Sequence, residues 1–263
     1  MAATPAGAAD KPNILVFYAD DLGWGELGCQ GNAEIPTPNI DSIATGGIRF
    51  TQGYVAATYC SPSRAGLMTG RYPTRFGHEF NSVHNAVGLA AHETTMADRL
   101  KAQGYATCCV GKWHLGHQPA NRPTRRGFDE FYGTLANTPF FHPTNFVDSR
   151  VSNDVQTVSD DSFYTTDAYA DRSVDWIEKN KNRPWFLYMP FNAQHAPLQA
   201  PKKYLDRFSL EARRREPAAL SDRRQQRPAA RNTLLALWTS MGRAPRRPEA
   251  GRLTRRQRRA GTL

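Results

Sequence analysis

The stretch that decides the fold is Pro12-Asn13-Ile14-Leu15-Val16-Phe17-Tyr18-Ala19-Asp20-Asp21-Leu22-Gly23-Trp24-Gly25. Its apolar run, Asn13 to Tyr18, is typical of a short strand buried on both faces of a parallel sheet. Two adjacent carboxylates, Asp20 and Asp21, follow this strand directly. They repel one another unless water or a cation lies between them, and Ca²⁺ and Mg²⁺ prefer carboxylate oxygens. A turn or a helix cap is the alternative role for an isolated pair of this kind.

Strand and helix patterns alternate along the first 208 residues. We predict strands at residues 13–18, 48–51, 105–110 and 184–189, and helices at residues 39–45, 95–103 and 165–179. The helix at 39–45 is expected to be capped by Asn39. A further helix should begin just after Cys60, with Pro62 in its first turn, and stop at Gly70. The alternation predicts an α/β fold with a mainly parallel central sheet and helices on both faces, in which ligands bind at the carboxyl ends of strands.

The helix after Cys60 carries a distinctive motif, Cys60-Ser61-Pro62-Ser63-Arg64-Ala65-Gly66-Leu67-Met68-Thr69-Gly70-Arg71. An isolated cysteine at such a place is usually an inert, small apolar residue. The whole segment, however, resembles the signature of the type I sulfatases, in which the cysteine of Cys-x-Pro-x-Arg is oxidised to formylglycine (3-oxoalanine). Because the match continues without interruption to Arg71, it is far more specific than a five-residue motif.

Other segments resemble the same family and follow one another in the expected order. Residues 12–25 resemble its opening, where both aspartates ligate a metal. Val110-Gly111-Lys112-Trp113-His114-Leu115-Gly116 resembles its second signature, and alternation along an extended segment predicts that Lys112 and His114 lie on one side. Gln194-His195-Ala196-Pro197 matches the leaving-group histidine of the family, and a surface histidine is the alternative there. Residues 126–133 also resemble a segment of the family, and we interpret their role as structural.

This resemblance covers residues 12–207 and implies the N-terminal portion of an arylsulfatase-like enzyme of the alkaline phosphatase superfamily, incomplete at its C-terminus. The implied activity is that of a sulfuric ester hydrolase acting on an aryl or carbohydrate sulfate monoester. The implied nucleophile is formylglycine made from Cys60 by a formylglycine-generating enzyme, and the implied metal is Ca²⁺ or Mg²⁺.

The resemblance also assigns roles to individual residues. Catalytic roles fall to Cys60, Arg64, Lys112, His114 and His195, and metal ligation falls to Asp20, Asp21 and Cys60. Arg64 would stabilise the aldehyde hydrate, and Lys112 would hold the sulfate oxygens. His195 would help to protonate the leaving alcohol, and His114 would deprotonate the second hydroxyl so that sulfate is expelled.

One departure from the family concerns the metal. The family has a second ligand pair, Asp-Asn usually followed by glycine, and a further lysine in its C-terminal half. No Asp-Asn pair follows His195 in this chain, and residues 209–263 contain no lysine. The ion would therefore lack ligands, and we expect impaired turnover. Two alternatives stay open: a related phosphodiesterase or phosphonate hydrolase, and an inactive fragment with a polyanion-binding tail.

The net charge of +10 belongs wholly to the C-terminal segment. Residues 209–263 contain 15 arginines and four acidic residues, a net charge of +11, whereas the first 208 residues have a net charge of −1. Such a composition favours disorder, or reflects a truncated or frameshifted gene. We expect this tail to bind nucleic acid only if it is a genuine part of the protein. We therefore divide the chain into an N-terminal extension (1–11), a partial sulfatase catalytic domain (12–208) and an Arg-rich tail (209–263).

Cysteine content and hydropathy exclude two further classes of protein. Four cysteines are too few for a disulfide scaffold, and no Cys-x-x-Cys pair indicates zinc. The longest apolar stretch, Ile14 to Ala19, is far shorter than the roughly 20 residues that span a bilayer, so no membrane partner is expected. Residues 1–11 lack the hydrophobic region of a signal peptide. Sulfatases are often periplasmic, secreted or lysosomal, and the localisation of this chain stays open.

Overall fold

A computed structural model of the protein describes residues 11–81 and 88–208 and the backbone of one strand near the C-terminus. The strands are β1 (Ile14–Tyr18), β2 (Ala106–Lys112), β3 (Glu130–Thr134), β4 (Phe146–Asp148), β5 (Ser152–Gln156), β6 (Trp185–Pro190) and β7 (Leu234–Leu237). They form one sheet in the order β5-β4-β3-β2-β6-β1-β7. The four central strands, β3, β2, β6 and β1, are parallel, and the outer strands pair antiparallel. The expected α/β fold with a mainly parallel centre is confirmed.

Helices cover both faces of this sheet. They are α1 (Pro38–Gly46), α2 (Cys60–Thr69), α3 (Met96–Ala102), α4 (Thr165–Asn180) and α5 (Lys202–Leu205). Short 3-10 helices lie at Gly28–Gln30, Pro73–Phe76, Pro119–Asn121 and Pro123–Arg125. Within the described ranges, no helix has both the length and the apolar character needed to cross a membrane.

Alternate side chains of β6 show how the two layers form. Phe186 and Tyr188 pack in the cluster that contains Ala65 and Met68 of α2. Leu187, between them, packs in the opposite cluster with side chains of α4. Because successive strand residues point to opposite faces, a fully buried strand must be apolar at every position. The continuous apolar run of β6 is therefore the consequence of helices on both sides.

Most predicted elements overlap an observed one, with two corrections. Helix α1 begins at Pro38, and Thr37 rather than Asn39 occupies its N-cap position, because proline suits the first position of a helix. The strand predicted at 48–51 is wrong, since the backbone there is irregular and Ile48 is 79% exposed. An alternating apolar and polar pattern produces a strand only where a neighbouring strand supplies hydrogen-bond partners. None of the described strands lies beside residues 48–51.

The strand nearest the C-terminus, β7, lies inside the segment that we expected to be a tail. It pairs antiparallel with β1, with Leu237 opposite Leu15 and Leu234 opposite Tyr18. This strand is the single apolar run of the arginine-rich segment. The other residues of 209–263, and the extension up to residue 10, lie outside the described residues.

Candidate active site

Helix α2 presents Cys60 and Arg64 from its first turn and a half. Pro62 lies in the first turn, and the helix ends where Gly70 adopts φ 69° and donates its N–H to the Gly66 carbonyl over 2.9 Å. Both limits agree with the prediction from sequence. Cys60 and Arg64 are separated by one helical turn and are both buried. The helix therefore brings the candidate nucleophile and a guanidinium group into the interior together.

The ends of β1, β2 and β6 bring the other predicted residues to the same edge of the sheet. Asp20 follows β1, and its N–H donates to the Ala193 carbonyl beyond β6 over 3.1 Å. The Gln194 N–H donates in return to the Asp20 carbonyl over 2.7 Å. These two bonds tie the segment that carries His195 to the end of β1. Lys112 is the last residue of β2. β2 pairs with one side of β6, and β1 pairs with the other side.

A buried cluster of three charges lies at this edge. The Lys112 ammonium forms an ion pair and a hydrogen bond with Asp20 Oδ2, and Arg64 Nη2 lies 3.5 Å from Asp20 Oδ1. Arg64 Nη1 also donates to the Lys112 carbonyl over 2.5 Å, and its guanidinium lies 5.1 Å from the centre of the Tyr18 ring. Two cations therefore share one carboxylate in the protein interior.

The electrostatics of this cluster follow from burial and from the unequal number of charges. Burial opposes ionisation of Asp20, but Arg64 and Lys112 outweigh it and lower its pKa from 3.8 to about 2. Burial, and then the nearby Arg64 charge, lower the pKa of Lys112. Burial likewise raises the pKa of the Cys60 thiol. Asp20 is thus ionised at neutral pH, whereas the thiol of Cys60 is protonated.

Gly111 permits the close approach of strands that positions Lys112. Its φ is 138°, and a Cβ atom there would lie 1.9 Å from the carbonyl oxygen of Pro190 in β6. A side chain would therefore push β2 and β6 apart immediately beside the buried lysine.

Replacing Gly111 by Ala is expected to lower the free energy of unfolding by about 3 kcal/mol or more, as overpacking against backbone does. Gly104→Ala is the matched control, because Gly104 also has a positive φ, 83°, but has no atom within 4 Å of the added Cβ. That variant should lose only about 1 kcal/mol from backbone strain. Urea unfolding of both variants measures the difference, and equal losses would show that the strand contact is unimportant.

His114 lies beside the charge cluster, but simple alternation does not place it there. β2 ends at Lys112, and His114 has φ 58°, so the segment is not extended at this residue. Burial, followed by the charges of Lys112 and Arg64, lowers the pKa of His114 to about 2. Its Nδ1 atom is buried without a hydrogen-bond partner. The imidazole is therefore neutral at physiological pH and has an unused ring nitrogen.

His195 lies close to Asp20 of the charge cluster and to Cys60. One potential ligand atom from each of these three residues lies within 4.8 Å of the others. Asp21, which the resemblance makes a metal ligand, is half-exposed, and its Oδ2 lies 3.7 Å from His195 Nε2. The structure therefore brings all seven predicted residues to one region, with His195 rather than Asp21 grouped with Asp20 and Cys60.

The described residues do not complete a site for Ca²⁺ or Mg²⁺. Ca²⁺ takes about six to eight oxygen ligands, and Mg²⁺ requires an octahedron of oxygens. The carboxylates available are those of Asp20 and Asp21, and Asp20 is already paired with Lys112 and Arg64. The sulfur of Cys60 is a soft ligand that hard ions do not prefer.

Two residues at the site were not predicted from the sequence. The Tyr18 ring lies against Arg64, and its hydroxyl donates to Ser63 Oγ over 2.8 Å. The Asn137 amide lies 3.0 Å from His195 Nε2. Asn137 follows β3, so the rule that ligands gather after parallel strands would have indicated it had β3 been recognised.

Comparison with known proteins identifies the relationship. A match to the Sulfatase family covers residues 12–237. The N-acetylgalactosamine-6-sulfatase of Canis lupus familiaris is 35% identical over 223 residues, which are 76% of this chain and 43% of that protein. The crystal structure of Ps i-CgsB in complex with k-i-k-neocarrahexaose is 36% identical, with a TM-score of 0.67, over 76% of this chain and 49% of that one.

Another solved structure extends the comparison to a protein described as bound to its substrate D-glucosamine-2-N,6-O-disulfate. It is 28% identical, with a TM-score of 0.67, over 81% of this chain and 40% of that one. The chain thus spans less than half the length of these relatives. The family match, the shared α/β fold and the motif residues at one edge of the sheet agree. The chain belongs to the sulfatase family.

Proposed function

We propose that this site binds the sulfate group of a carbohydrate sulfate monoester and belongs to a sulfuric ester hydrolase. The observation that carries the proposal is the buried pairing of Arg64 and Lys112 with a single carboxylate, next to Cys60. Two buried cations and one anion leave one excess positive charge. Burying an uncompensated charge is costly, so the site favours an anionic ligand that restores balance.

Hydrogen-bonding capacity at the site also suits a sulfate group. The Nε atom of Arg64 is buried and has no hydrogen-bond partner in the structure. Lys112 offers three donors and uses one of them on Asp20. A sulfate monoester has one negative charge shared among oxygens that accept hydrogen bonds. Donors fixed before the substrate arrives stabilise the charge that moves to these oxygens during the reaction.

The nucleophile in this proposal is formylglycine made from Cys60. Burial raises the pKa of the thiol, so the unmodified side chain is a weak nucleophile at neutral pH. The aldehyde made from it forms a hydrate with two hydroxyl groups. The oxygen of one hydroxyl bonds to sulfur as the bond between sulfur and the leaving oxygen breaks, and the proton that this hydroxyl loses is balanced by the one that the leaving oxygen takes up. Arg64 lies one turn away on α2 and stabilises this hydrate. His195, at the exposed side of the cluster, donates a proton to the leaving alcohol.

Release of sulfate requires a base, and the geometry suits His114. Its neutral imidazole accepts the proton of the second hydroxyl. The carbon–oxygen double bond then re-forms, the bond to the sulfate oxygen breaks, and sulfate leaves with the bonding electrons. A cysteine side chain has no second hydroxyl to lose, which is why the oxidation of Cys60 is required.

Turnover by this chain is proposed to be impaired. The residues that the structure describes supply too few oxygen ligands for the divalent ion that the family resemblance implies. We further propose that residues 12–208 form a partial catalytic domain and residues 209–263 a tail, in which β7 pairs with the sheet.

The names of the relatives support a substrate class, and the Cys60 motif supports a maturation partner. The dog relative is named an N-acetylgalactosamine-6-sulfatase, and the two solved structures are described with k-i-k-neocarrahexaose and with D-glucosamine-2-N,6-O-disulfate. We therefore favour a carbohydrate sulfate over an aryl sulfate as the substrate class. A formylglycine-generating enzyme is the partner that the Cys60 motif requires.

Sulfate binding tests the proposal without requiring turnover. Titration of sodium sulfate into the purified chain should give saturable heat in isothermal calorimetry. Lys112→Met should weaken this binding roughly tenfold to a hundredfold, because a hydrogen bond to a charged group contributes about 1.5–3 kcal/mol. Lys101→Met, at a half-exposed lysine that pairs with Asp129, is the control and should bind as the wild type does. Equal affinity in all three proteins would contradict the proposal.

A further inference from the structure

We infer that Tyr59 and Phe80 form an aromatic platform that binds the sugar ring of the substrate beside the sulfate pocket. The inference rests on the proposed function and deepens it, because it identifies the part of the site that recognises the alcohol. The two rings lie next to each other, with centroids 6.1 Å apart and planes inclined at 58°. Tyr59 is 52% exposed and Phe80 is 53% exposed.

The position of the platform follows from the covalent structure. Tyr59 is bonded directly to Cys60 and occupies the N-cap position of α2. Consecutive Cα atoms lie about 3.8 Å apart, so the exposed Tyr59 ring is the nearest aromatic surface along the chain to the reacting side chain. Because the sulfate pocket is buried and charged, the remainder of the ester must extend from it towards solvent. Tyr59 is therefore the exposed ring that we assign to the first sugar.

Two hydrogen bonds hold the segment that contains Phe80 in this arrangement. The Ser61 N–H, in the first turn of α2, donates to Asn81 Oδ1 over 2.9 Å. The Ser61 hydroxyl also lies 2.7 Å from His78 Nε2, and both of these side chains are buried. The residues on either side of Phe80 are thus fastened to the helix that carries Cys60. A platform fixed in advance loses little conformational entropy when a ligand binds.

The chemistry of the two rings suits a sugar. A pyranose presents one face of C–H groups and an edge of hydroxyl groups, so its apolar face packs on an aromatic ring while its hydroxyls stay in water. Exposed apolar groups beside a polar pocket commonly mark a ligand-binding groove. Two rings inclined at 58° form a corner, which contacts a sugar both on its face and at its edge.

The test compares two ligands with the same chain. Sodium sulfate probes the charged pocket alone, and N-acetylgalactosamine 6-sulfate probes the pocket and the platform together. Tyr59→Ala and Phe80→Ala should each weaken binding of the sugar sulfate roughly fivefold to tenfold, as expected for loss of one aromatic contact. Both variants should bind sodium sulfate as the wild type does. Tyr59→Phe keeps the ring and should retain the affinity for the sugar sulfate.

Tyr72→Ala provides the matched control. Tyr72 is another exposed tyrosine, but it follows the opposite end of α2, so its removal should change neither affinity. If Tyr59→Ala and Phe80→Ala bind the sugar sulfate as tightly as the wild type, the inference is overturned while the proposed function stands. If the wild type binds neither ligand, the proposed function fails and the inference fails with it.

Discussion

Replacing Asp20 by Asn is expected to lower the free energy of unfolding by about 3–5 kcal/mol, because removal of one partner leaves buried charges uncompensated. Asp20 is the shared counter-ion of Arg64 and Lys112, and all three side chains are buried. The amide of asparagine retains hydrogen-bonding capacity but supplies no negative charge. Two cations would then remain unpaired in the interior. Thermal or urea unfolding, followed by circular dichroism, measures the loss.

The neighbouring carboxylate offers a control of the same chemistry. Asp21 is half-exposed and has φ 61°, a conformation that asparagine tolerates well. Asp21→Asn should therefore change the stability by no more than about 0.5 kcal/mol. A loss from Asp21→Asn as large as that from Asp20→Asn would show that burial of the charge cluster is not the cause.

The same cluster predicts a dependence of stability on pH. The pKa of Asp20 is lowered from 3.8 to about 2 in the folded protein. Its contribution to stability is therefore fully present above pH 3.8 and is lost as the pH falls towards 2. Asp20→Asn removes this contribution, so the stability of the variant should depend less steeply on pH within that window than the stability of the wild type.

Hydrolysis of N-acetylgalactosamine 6-sulfate by the 263-residue chain is expected to be at least about a thousandfold slower than by a full-length relative. A metal ion contributes several kcal/mol of transition-state stabilisation, and each 1.4 kcal/mol corresponds to about tenfold in rate. The described residues offer that ion few oxygen ligands. The dog N-acetylgalactosamine-6-sulfatase, 35% identical, is a suitable reference enzyme.

Maturation must be separated from catalysis in this measurement. The chain should be produced with a formylglycine-generating enzyme, and mass spectrometry of the peptide containing residue 60 should show conversion of the thiol to the aldehyde. Cys60→Ala provides the baseline without a nucleophile. Turnover by the modified chain within tenfold of the reference enzyme would refute the proposed impairment. Unmodified Cys60 in such a host would instead contradict the assignment of the nucleophile.

Local sequence signals predicted those parts of the fold that depend on local interactions. The start and end of α2 follow from Pro62 and Gly70, whose backbone preferences act within one turn. β3 was not predicted, because its pairing with β2 depends on a residue that is distant in the sequence. A Cβ atom on Gly133 would lie 2.0 Å from the Gly111 carbonyl oxygen, so the two strands pair closely only with glycine at position 133. Residues 48–51 show the reverse case, since they have a strand pattern without a partner strand.

The sequence by itself determined the family, the order of the chemical groups and their places at strand ends, because these are encoded in contiguous motifs and local periodicity. Only the tertiary structure decided that Arg64 and Lys112 share one buried carboxylate. It also grouped His195 with Cys60 and set Phe80 against Tyr59. The physical reason is that charge interactions and ring contacts depend on burial and on distances between segments remote in sequence, which no local pattern specifies.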